Sequence, residues 1–395
     1  MLCVVFCGGC WDNVELQNLG IVLGIGLDFI PEAERVDNEQ VLVTIEIANM
    51  RKSDPNSTGT ASDIFQSSGE TVIAAIRKLT NIVTSKLFWG HDQVLIISED
   101  ILKQGLNHYI DFFNRYTDIR PTIKLIAVEG RAADYFDTEG GMSIIFTYGT
   151  MGIYPVNSRL GFSSINAVSL QSYVEASCWG YAGLLLPWGH ILEKDKQVPE
   201  KDGDGDNRTI ERHNAINYLE GMVVLSPVGT FVAALSAEET IAAIMWRGEL
   251  ENFIISFSLS DTAKDEYLSF VIKNLKVRKK WGEENGQSCL NLTADFSAIL
   301  AEGNYNQESK NTQTRKKIEE QLQTEIEKYL RSAWDKSLEL EVDYILVGDH
   351  MRRYNNPHWR RVEANWPKAM PEILLKITVN GVLSSSGDAI EIISS

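Results

Sequence analysis

A polar run near the middle of the chain constrains the fold more than any other sequence feature. Residues 194–207 combine charged side chains, proline and glycine without an apolar period, which is typical of a linker or a long loop. The chain has 395 residues, more than the roughly 250 that one hydrophobic core usually organises. We therefore expect a multidomain protein with two main regions, residues 10–193 and 215–395, joined by a linker over residues 194–214. The first region is long enough to divide into two domains.

The composition indicates a folded chain with an acidic surface. Hydrophobic residues make up 44% of the chain and charged residues 23%, a balance typical of globular domains. The 54 acidic and 37 basic residues give a formal net charge of -17, which repels phosphate backbones and anionic lipid surfaces. We therefore expect no nucleic-acid partner. No stretch of the sequence approaches the roughly 18 to 20 apolar residues that span a bilayer as a helix.

The hydrophobic pattern predicts helices and strands in both regions. Residues 41–47 alternate and are rich in β-branched side chains, which favours a strand, whereas residues 69–86 carry apolar side chains at helical spacing. Residues 312–337 form the longest amphipathic pattern, a helix that either packs across a sheet or is exposed for a partner. Residues 338–347 and 373–379 favour strands. The fold class we expect is α+β, with mixed and antiparallel sheets packed against helices.

The five cysteines are distributed unevenly along the chain. Three lie in the first ten residues, whereas Cys178 and Cys289 stand alone in apolar stretches, where we expect buried side chains. Cys7 and Cys10 form a C-x-x-C pair, but no second pair supplies further zinc ligands and no predicted strand or helix gives it a redox context. Neither a disulfide framework nor a metal site is therefore indicated.

The beginning of the chain resembles the end of a bacterial lipoprotein signal peptide. An apolar run over residues 2–6 leads into two glycines and Cys10, after which the sequence becomes polar. The resemblance implies that residues 1–9 are the remainder of a signal peptide and that Cys10 carries the lipid. Cys7 stands where a lipobox usually has a branched aliphatic residue, and no basic residues precede the apolar run. We therefore expect further residues upstream of the first methionine.

Motifs in both regions resemble one protein family. They follow one another in order from Cys10 to about residue 387. The motifs are Cys10-Trp11-Asp12, Glu15-Leu16, Leu19-Gly20-Ile21-Val22, Gly24-Ile25-Gly26-Leu27-Asp28, Ser68-Gly69-Glu70-Thr71, Leu87-Phe88-Trp89-Gly90-His91, Gly105-Leu106, Gly130-Arg131-Ala132, Glu220-Gly221-Met222-Val223-Val224, Ala237-Glu238-Glu239-Thr240 and Tyr354-Asn355-Asn356-Pro357-His358-Trp359. Their order and spacing resemble the spore germination lipoproteins that form the C subunits of germinant receptors, the Ger(x)C type.

The resemblance implies a lipid-anchored, non-catalytic subunit of a receptor complex in sporulating bacteria. Family members assemble with two integral-membrane subunits on the outer face of the spore inner membrane, where small nutrients trigger germination. The resemblance implies that lipid on Cys10, with palmitate among its acyl chains, holds this chain there as a scaffold or coupling component. Germinant recognition is then expected mainly in the membrane subunits. Whether this chain binds a small germinant itself is left open.

The sequence lacks catalytic motifs, and we expect no enzyme. No G-x-S-x-G elbow, P-loop or H-E-x-x-H motif occurs, so no catalytic residue, cofactor or metal is assigned. Residues 24–26 begin like a dinucleotide fingerprint but lack its third glycine. Asp202, Asp204 and Asp206 imitate the first half of a calcium loop whose required glycine and bidentate glutamate are absent.

Two other classes of function are alternatives to a receptor subunit. A substrate-binding lipoprotein of a transporter is the main alternative, but it predicts two lobes in which strands and helices alternate regularly, unlike the second region here. A secreted hydrolase predicts an acid, a base and a nucleophile clustered in a cleft, and the sequence offers no candidates for them.

Three groups of side chains are candidates for contacts with partner subunits. His91 precedes a predicted strand and either fixes a turn through a backbone hydrogen bond, the role we favour, or meets another subunit. Four charged residues form either an internal ion-pair network or a docking surface: Glu99, Asp111, Arg115 and Arg120. In a cluster of aromatic and basic residues, the aromatic side chains either pack in the core beside a solvated basic patch, which we favour, or contact a partner. The members of the cluster are Arg352, Arg353, Tyr354, Trp359, Arg360, Arg361 and Trp366.

Overall fold

A computed structural model describes residues 19–48, 62–138, 147, 167–193, 215–250, 252–258, 267–303 and 312–384. Its strands are β1 (Leu19–Phe29), β2 (Val41–Ala48), β3 (Ser62–Gly69), β4 (Lys86–Phe88), β5 (Val94–Ser98), β6 (Lys124–Val128), β7 (Val168–Ser169), β8 (Leu184–Glu193), β9 (Ala215–Leu225), β10 (Phe231–Leu235), β11 (Phe253–Ser258), β12 (Tyr267–Glu284), β13 (Gln287–Glu302) and β14 (Leu374–Leu383). Its α-helices are α1 (Val72–Ile82), α2 (Glu99–Gln104), α3 (Asn107–Arg115), α4 (Ala132–Phe136), α5 (Leu170–Ser177), α6 (Ala237–Arg247), α7 (Thr312–Glu339), α8 (Val347–Tyr354) and α9 (Asn356–Val362).

The first sheet runs in the order β10-β9-β8-β6-β5-β1-β2-β3, with β4 beside β1 and β7 beside β6. Its centre is parallel, because β1 pairs with β5, β5 with β6 and β6 with β8 in the same direction. Its flanks are antiparallel, with β2 and β3 on one side and β9 and β10 on the other. Leu95 and Ile97 of β5 share a core with α1 and α3, while Val94 and Ile96 share another core with α4. Both faces of this sheet are therefore covered.

The second sheet has the order β11-β12-β13-β14 and is antiparallel except for the parallel pair of β13 and β14. One face packs against α7, whose buried stripe repeats at intervals of three and four residues. The stripe consists of Ile318, Leu322, Ile326, Leu330, Ala333 and Trp334. The structure thus confirms the α+β class, and it places the longest helix across a sheet.

The first sheet contains strands from both sides of the segment that the sequence predicts to be a linker. Glu193 of β8 and Ala215 of β9 are register partners in an antiparallel pair, so residues 194–214 connect two neighbouring strands. The expected domain boundaries stay a prediction. A division of the chain at this segment would separate β9 and β10 from the rest of their sheet.

Two local predictions are wrong. Residues 338–347 do not form a strand: α7 continues to Glu339, and a turn then leads into α8. Tyr344 and Ile345 of that turn are fully buried, so their apolar character reflects core packing and not strand alternation. Cys178 is exposed because it caps the end of α5, whereas Cys289 is buried as expected.

Several predictions concern residues outside the described ranges. These are the signal-peptide remainder at residues 1–9, the lipidation of Cys10, and the imperfect calcium loop at Asp202, Asp204 and Asp206. Among the helices of the described ranges, none combines the length and the apolar character needed to cross a membrane.

Candidate functional site

A cleft of about 700 Å³ opens at the carboxyl end of β1, between the first turn of α1 and one side of α3. The carboxyl ends of parallel strands are common places for binding sites, because the connecting segments diverge there. Aromatic and charged side chains line this cleft: Phe29, Tyr109, Phe112, Tyr116, Arg35, Glu70, His108, Asp111 and Arg115.

Aromatic rings form one wall of the cleft. Phe112 stacks on Tyr116 with the ring centroids 5.3 Å apart and the planes at 28°. Arg35 holds its guanidinium 5.3 Å from the centroid of Phe29 and donates from Nε to the Ile30 carbonyl at 3.0 Å. Burial raises the pKa of the Tyr109 hydroxyl, so that group stays protonated at neutral pH. The wall offers stacking surface with one fixed cation beside it.

The four charged residues do not form the internal ion-pair network that was one of the two alternatives for them. Arg115 donates from Nε to both Asp111 oxygens, at 2.8 and 2.7 Å, one helical turn apart on α3. Glu99 pairs instead with Lys103 on α2. Arg120 contributes its backbone N–H, and not its side chain, to Asp92. The Asp111–Arg115 pair is largely exposed at the rim of the cleft, where an ion pair contributes little to stability.

The turn before β5 is closed by a backbone hydrogen bond of Asp92 and not by the His91 side chain. His91 is exposed and lies edge-on to Phe88 with centroids 5.7 Å apart, and among the described residues its imidazole has no hydrogen-bond partner. The predicted backbone bond of His91 is therefore wrong, and the Asp92 N–H closes the turn on the Trp89 carbonyl at 3.0 Å. The sequence patterns considered above do not single out Asp92, although a carboxylate directly before a buried strand is a usable signal.

Asp92 is a buried carboxyl group with too few hydrogen bonds. One oxygen accepts the Arg120 N–H at 3.4 Å, and the other has no partner among the described residues. Burial raises the pKa of Asp92 to about 7, against a smaller lowering by Arg120. The side chain is therefore partly protonated at neutral pH.

The aromatic and basic cluster near the carboxyl end joins the two regions of the chain. Tyr181 lies 4.7 Å from Trp359, measured between ring centroids, and Trp359 lies 5.4 Å from Trp366. Arg352 donates from Nε to the Tyr181 hydroxyl at 2.9 Å. Trp359 and Trp366 are buried, which confirms core packing for them, whereas Tyr354 is 70% exposed.

A buried carboxylate organises this junction. Asp343 accepts the N–H groups of Val347 at 2.9 Å and Gly348 at 2.7 Å, and it accepts the Trp366 indole N–H at 3.0 Å. These three donors lower the pKa of Asp343 while burial raises it, and burial has the larger effect. Asp343 thus ties the start of α8 to the tryptophan cluster, a role that sequence spacing alone did not reveal.

Neither the cleft nor the junction has the arrangement of a catalytic triad. In the part of the chain that the structure describes, one serine and histidine pair is hydrogen-bonded, with Ser288 Oγ 2.8 Å from His358 Nδ1, but Arg361 also donates to that nitrogen at 3.1 Å. Among the described residues no carboxylate bonds the other ring nitrogen of His358, so the carboxylate that orients the histidine of a triad is absent there. In the described part of the chain, no three His, Cys, Asp or Glu side chains are grouped to hold a metal ion.

Comparisons with known proteins agree with the motifs in both regions. The profile of the spore germination protein N-terminal domain matches residues 12–175, and the profile described as spore germination B3/GerAC like, C-terminal, matches residues 220–387. Spore germination protein KC of Bacillus subtilis (strain 168) is 21% identical over 394 residues, which cover 98% of this chain and 94% of that protein. Spore germination protein B3 of the same organism is 22% identical over 379 residues, covering 94% of this chain and 92% of that protein.

A solved structure has the same overall fold. The crystal structure of the GerBC protein matches with a TM-score of 0.55 and 17% sequence identity, over 91% of this chain and 97% of that one. The two profile matches together span most of the sequence, in the order that the motifs predict. The chain therefore belongs to the Ger(x)C family of spore germination proteins.

Proposed function

We propose that this chain is the lipid-anchored C subunit of a spore germinant receptor, where it acts without catalysis as a scaffold or coupling component. The observation that carries the proposal is the match of both family profiles within one chain, at residues 12–175 and 220–387. Cys10 precedes the first match by two residues, so a lipid on its thiol would place the folded body directly beside the membrane. Its location is then the outer face of the spore inner membrane.

Integral-membrane subunits of the receptor are the partners in this proposal. Residues suited to protein contacts are exposed near the carboxyl end, where Tyr354 stands 70% exposed beside Arg352 and Arg353. Tyrosine and arginine are common in the energetically important centres of interfaces. The transporter alternative is not favoured, because the relatives named above are all spore germination proteins.

The anchor is tested by intact mass and membrane fractionation of the protein expressed with its native upstream sequence. We expect a diacylglyceryl-sized mass increase and retention in the membrane fraction, and the loss of both in a Cys10→Ala variant. Two or three acyl chains make a stable anchor, whereas one gives only marginal binding. Cys7→Ala is the matched control, since it removes a neighbouring thiol and leaves the proposed lipidation site intact.

The receptor assignment needs a separate readout. Spores that lack the gene should respond more weakly to nutrient germinants, and the wild-type gene should restore the response. The Cys10→Ala gene should restore it poorly, and the Cys7→Ala gene fully. An unmodified protein outside the membrane fraction would contradict the anchor, while an unchanged nutrient response in the deletion strain would contradict the receptor role.

A further inference from the structure

The most concentrated basic run of this acidic chain lies on one strand of the second sheet. Five basic residues fall between positions 273 and 280, although the net charge of the chain is -17. Lys279 points inward toward the Trp246 ring, 5.9 Å from its centroid. The other four are exposed along β12: Lys273, Lys276, Arg278 and Lys280.

Neighbouring acidic groups neutralise only part of this charge. Arg278 pairs with Asp295 across the strands, and Lys376 of β14 pairs with Glu284 at the end of the hairpin. Glu302 faces Ser269 at the opposite end of the sheet, away from the basic run. The basic side chains without an ion-pair partner in the described ranges are Lys273, Lys276 and Lys280.

The surface around these lysines is mainly polar. Their cross-strand neighbours on β13, and the β14 residues beside those, are Asn291, Thr293, Asp295, Ser297, Thr378 and Asn380, so Asp295, which pairs with Arg278, is the one carboxylate among them. Exposed large apolar side chains stand only at the margins of this described surface, namely Tyr267 at 63% and Val382 at 58% exposure. The reverse face of the sheet packs on α7, so this face is the one that β12, β13 and β14 present outward. We call it the basic face.

We propose that the basic face rests on the anionic phospholipid headgroups of the membrane to which Cys10 attaches the chain, an inference that rests on the proposed function. A protein interface usually has aromatic or methionine anchors at its centre, and none lies among the described outward residues there. Lysine is a compact charge on a flexible stem, which suits mobile phosphate groups. The match of charge and the polar centre without aromatic anchors therefore favour a lipid surface over a protein partner.

The acidic remainder of the chain does not prevent this contact at ordinary salt. The Debye length is about 10 Å at about 0.1 M salt. The headgroup phosphates are therefore attracted by the lysines that touch them, whereas repulsion by more distant carboxylates is screened. Each basic residue beside an anionic membrane strengthens binding by about fivefold. Removal of three lysines should therefore weaken binding on the order of a hundredfold.

The test is co-sedimentation of the full chain with vesicles of phosphatidylcholine that contain about one third phosphatidylglycerol. All proteins carry Cys10→Ala, so the result does not depend on whether that thiol is lipidated. The test variant adds Lys273→Gln, Lys276→Gln and Lys280→Gln. The matched control instead adds Lys316→Gln, Lys317→Gln and Lys328→Gln, which removes the same charge from exposed positions of α7 on the reverse side. Circular dichroism melting verifies that each protein is folded.

We expect the parent and the α7 control to bind anionic vesicles at about 0.1 M salt, and the basic-face variant to lose that binding. Pure phosphatidylcholine vesicles and about 1 M salt, where the Debye length is about 3 Å, should abolish binding of every variant. A parent that ignores anionic vesicles, or two triple variants with equal losses, would overturn the proposal. Capture of an acidic receptor subunit without vesicle binding would assign the face to a protein and overturn it as well. Failure of lipidation at Cys10 with vesicle binding intact would count against the anchor alone.

Discussion

Asp28 and Asp92 show how hydrogen bonding decides what a buried carboxyl group does. Both lie at the end or beginning of strands in the first sheet, and both are at most 3% exposed. Asp28 accepts N–H groups from Ala132 at 2.6 Å and Ala133 at 2.9 Å, so it fastens the start of α4 to β1. Burial raises the pKa of both carboxyl groups, and Asp92, which accepts only one long bond among the described residues, has its pKa raised to about 7.

Asp92 should make stability depend on pH. The pKa of Asp92 is about 7 in the folded state against an ordinary value of 3.8, so the folded state binds this proton more tightly than the unfolded state. The resulting contribution to the free energy of unfolding is fully present below about pH 4 and is lost as pH rises through 7. Asp92→Asn keeps the shape without the charge. We expect the variant to exceed the parent in unfolding free energy at pH 8 by roughly 2 to 4 kcal/mol, and by much less at pH 5.

Urea unfolding at pH 5 and pH 8 measures this difference. Asp111→Asn is the control, because Asp111 is exposed and its loss should change stability little at either pH. A difference between Asp92→Asn and the parent that is the same at both pH values would show that Asp92 does not titrate in this range.

At the scale of elements, periodicity identified some parts of the fold and missed others. It predicted α1, α7 and β14, because each exposes one face more than the other, and it predicted β2, which is buried on both faces, from its β-branched residues. It missed the long β12–β13 hairpin, although Asn285 and Gly286 supply the two positive φ angles, 52° and 81°, of a tight turn. The sequence also could not place the cleft, because its walls come from separate elements whose packing is a tertiary property.

The buried stripe of α7 should dominate the stability of the second sheet. Ile326 is fully buried, and truncation of such a side chain removes apolar contacts and leaves a cavity. We expect Ile326→Ala to lower the unfolding free energy by about 2 to 5 kcal/mol. Thr324→Ala, on the exposed side of the same turn, should change it by less than about 0.5 kcal/mol. Equal effects in urea unfolding would mean that α7 does not pack as described.

At the scale of the whole molecule, the two regions share one sheet. Leu184, Leu186 and Val223 of β8 and β9 pack in the core of the first region. Leu185 and Val224, which alternate with them, pack in the core that contains α6 and α7. Composition marked residues 194–214 correctly as polar, but composition does not reveal that the flanking strands are paired. Strand pairing is a long-range property, so the sequence pattern alone suggested a boundary there.

This shared sheet predicts that the segment between β8 and β9 can be shortened. Glu193 and Ala215 are register partners, so a connection of about five Gly and Ser residues in place of 194–214 should span them without strain. Loop closure costs about 0.6 kcal/mol for each doubling of length, so a roughly fourfold shorter loop should raise the unfolding free energy by about 1 kcal/mol. Urea unfolding of the full chain and the shortened chain measures the change.

If residues 194–214 instead separate two independent domains, shortening should disturb their arrangement, and cutting the loop should leave two fragments that fold alone. The paired strands predict the opposite: fragments cut there should be unstable apart and should recover the fold when mixed, because β9 needs β8 to complete its hydrogen bonds.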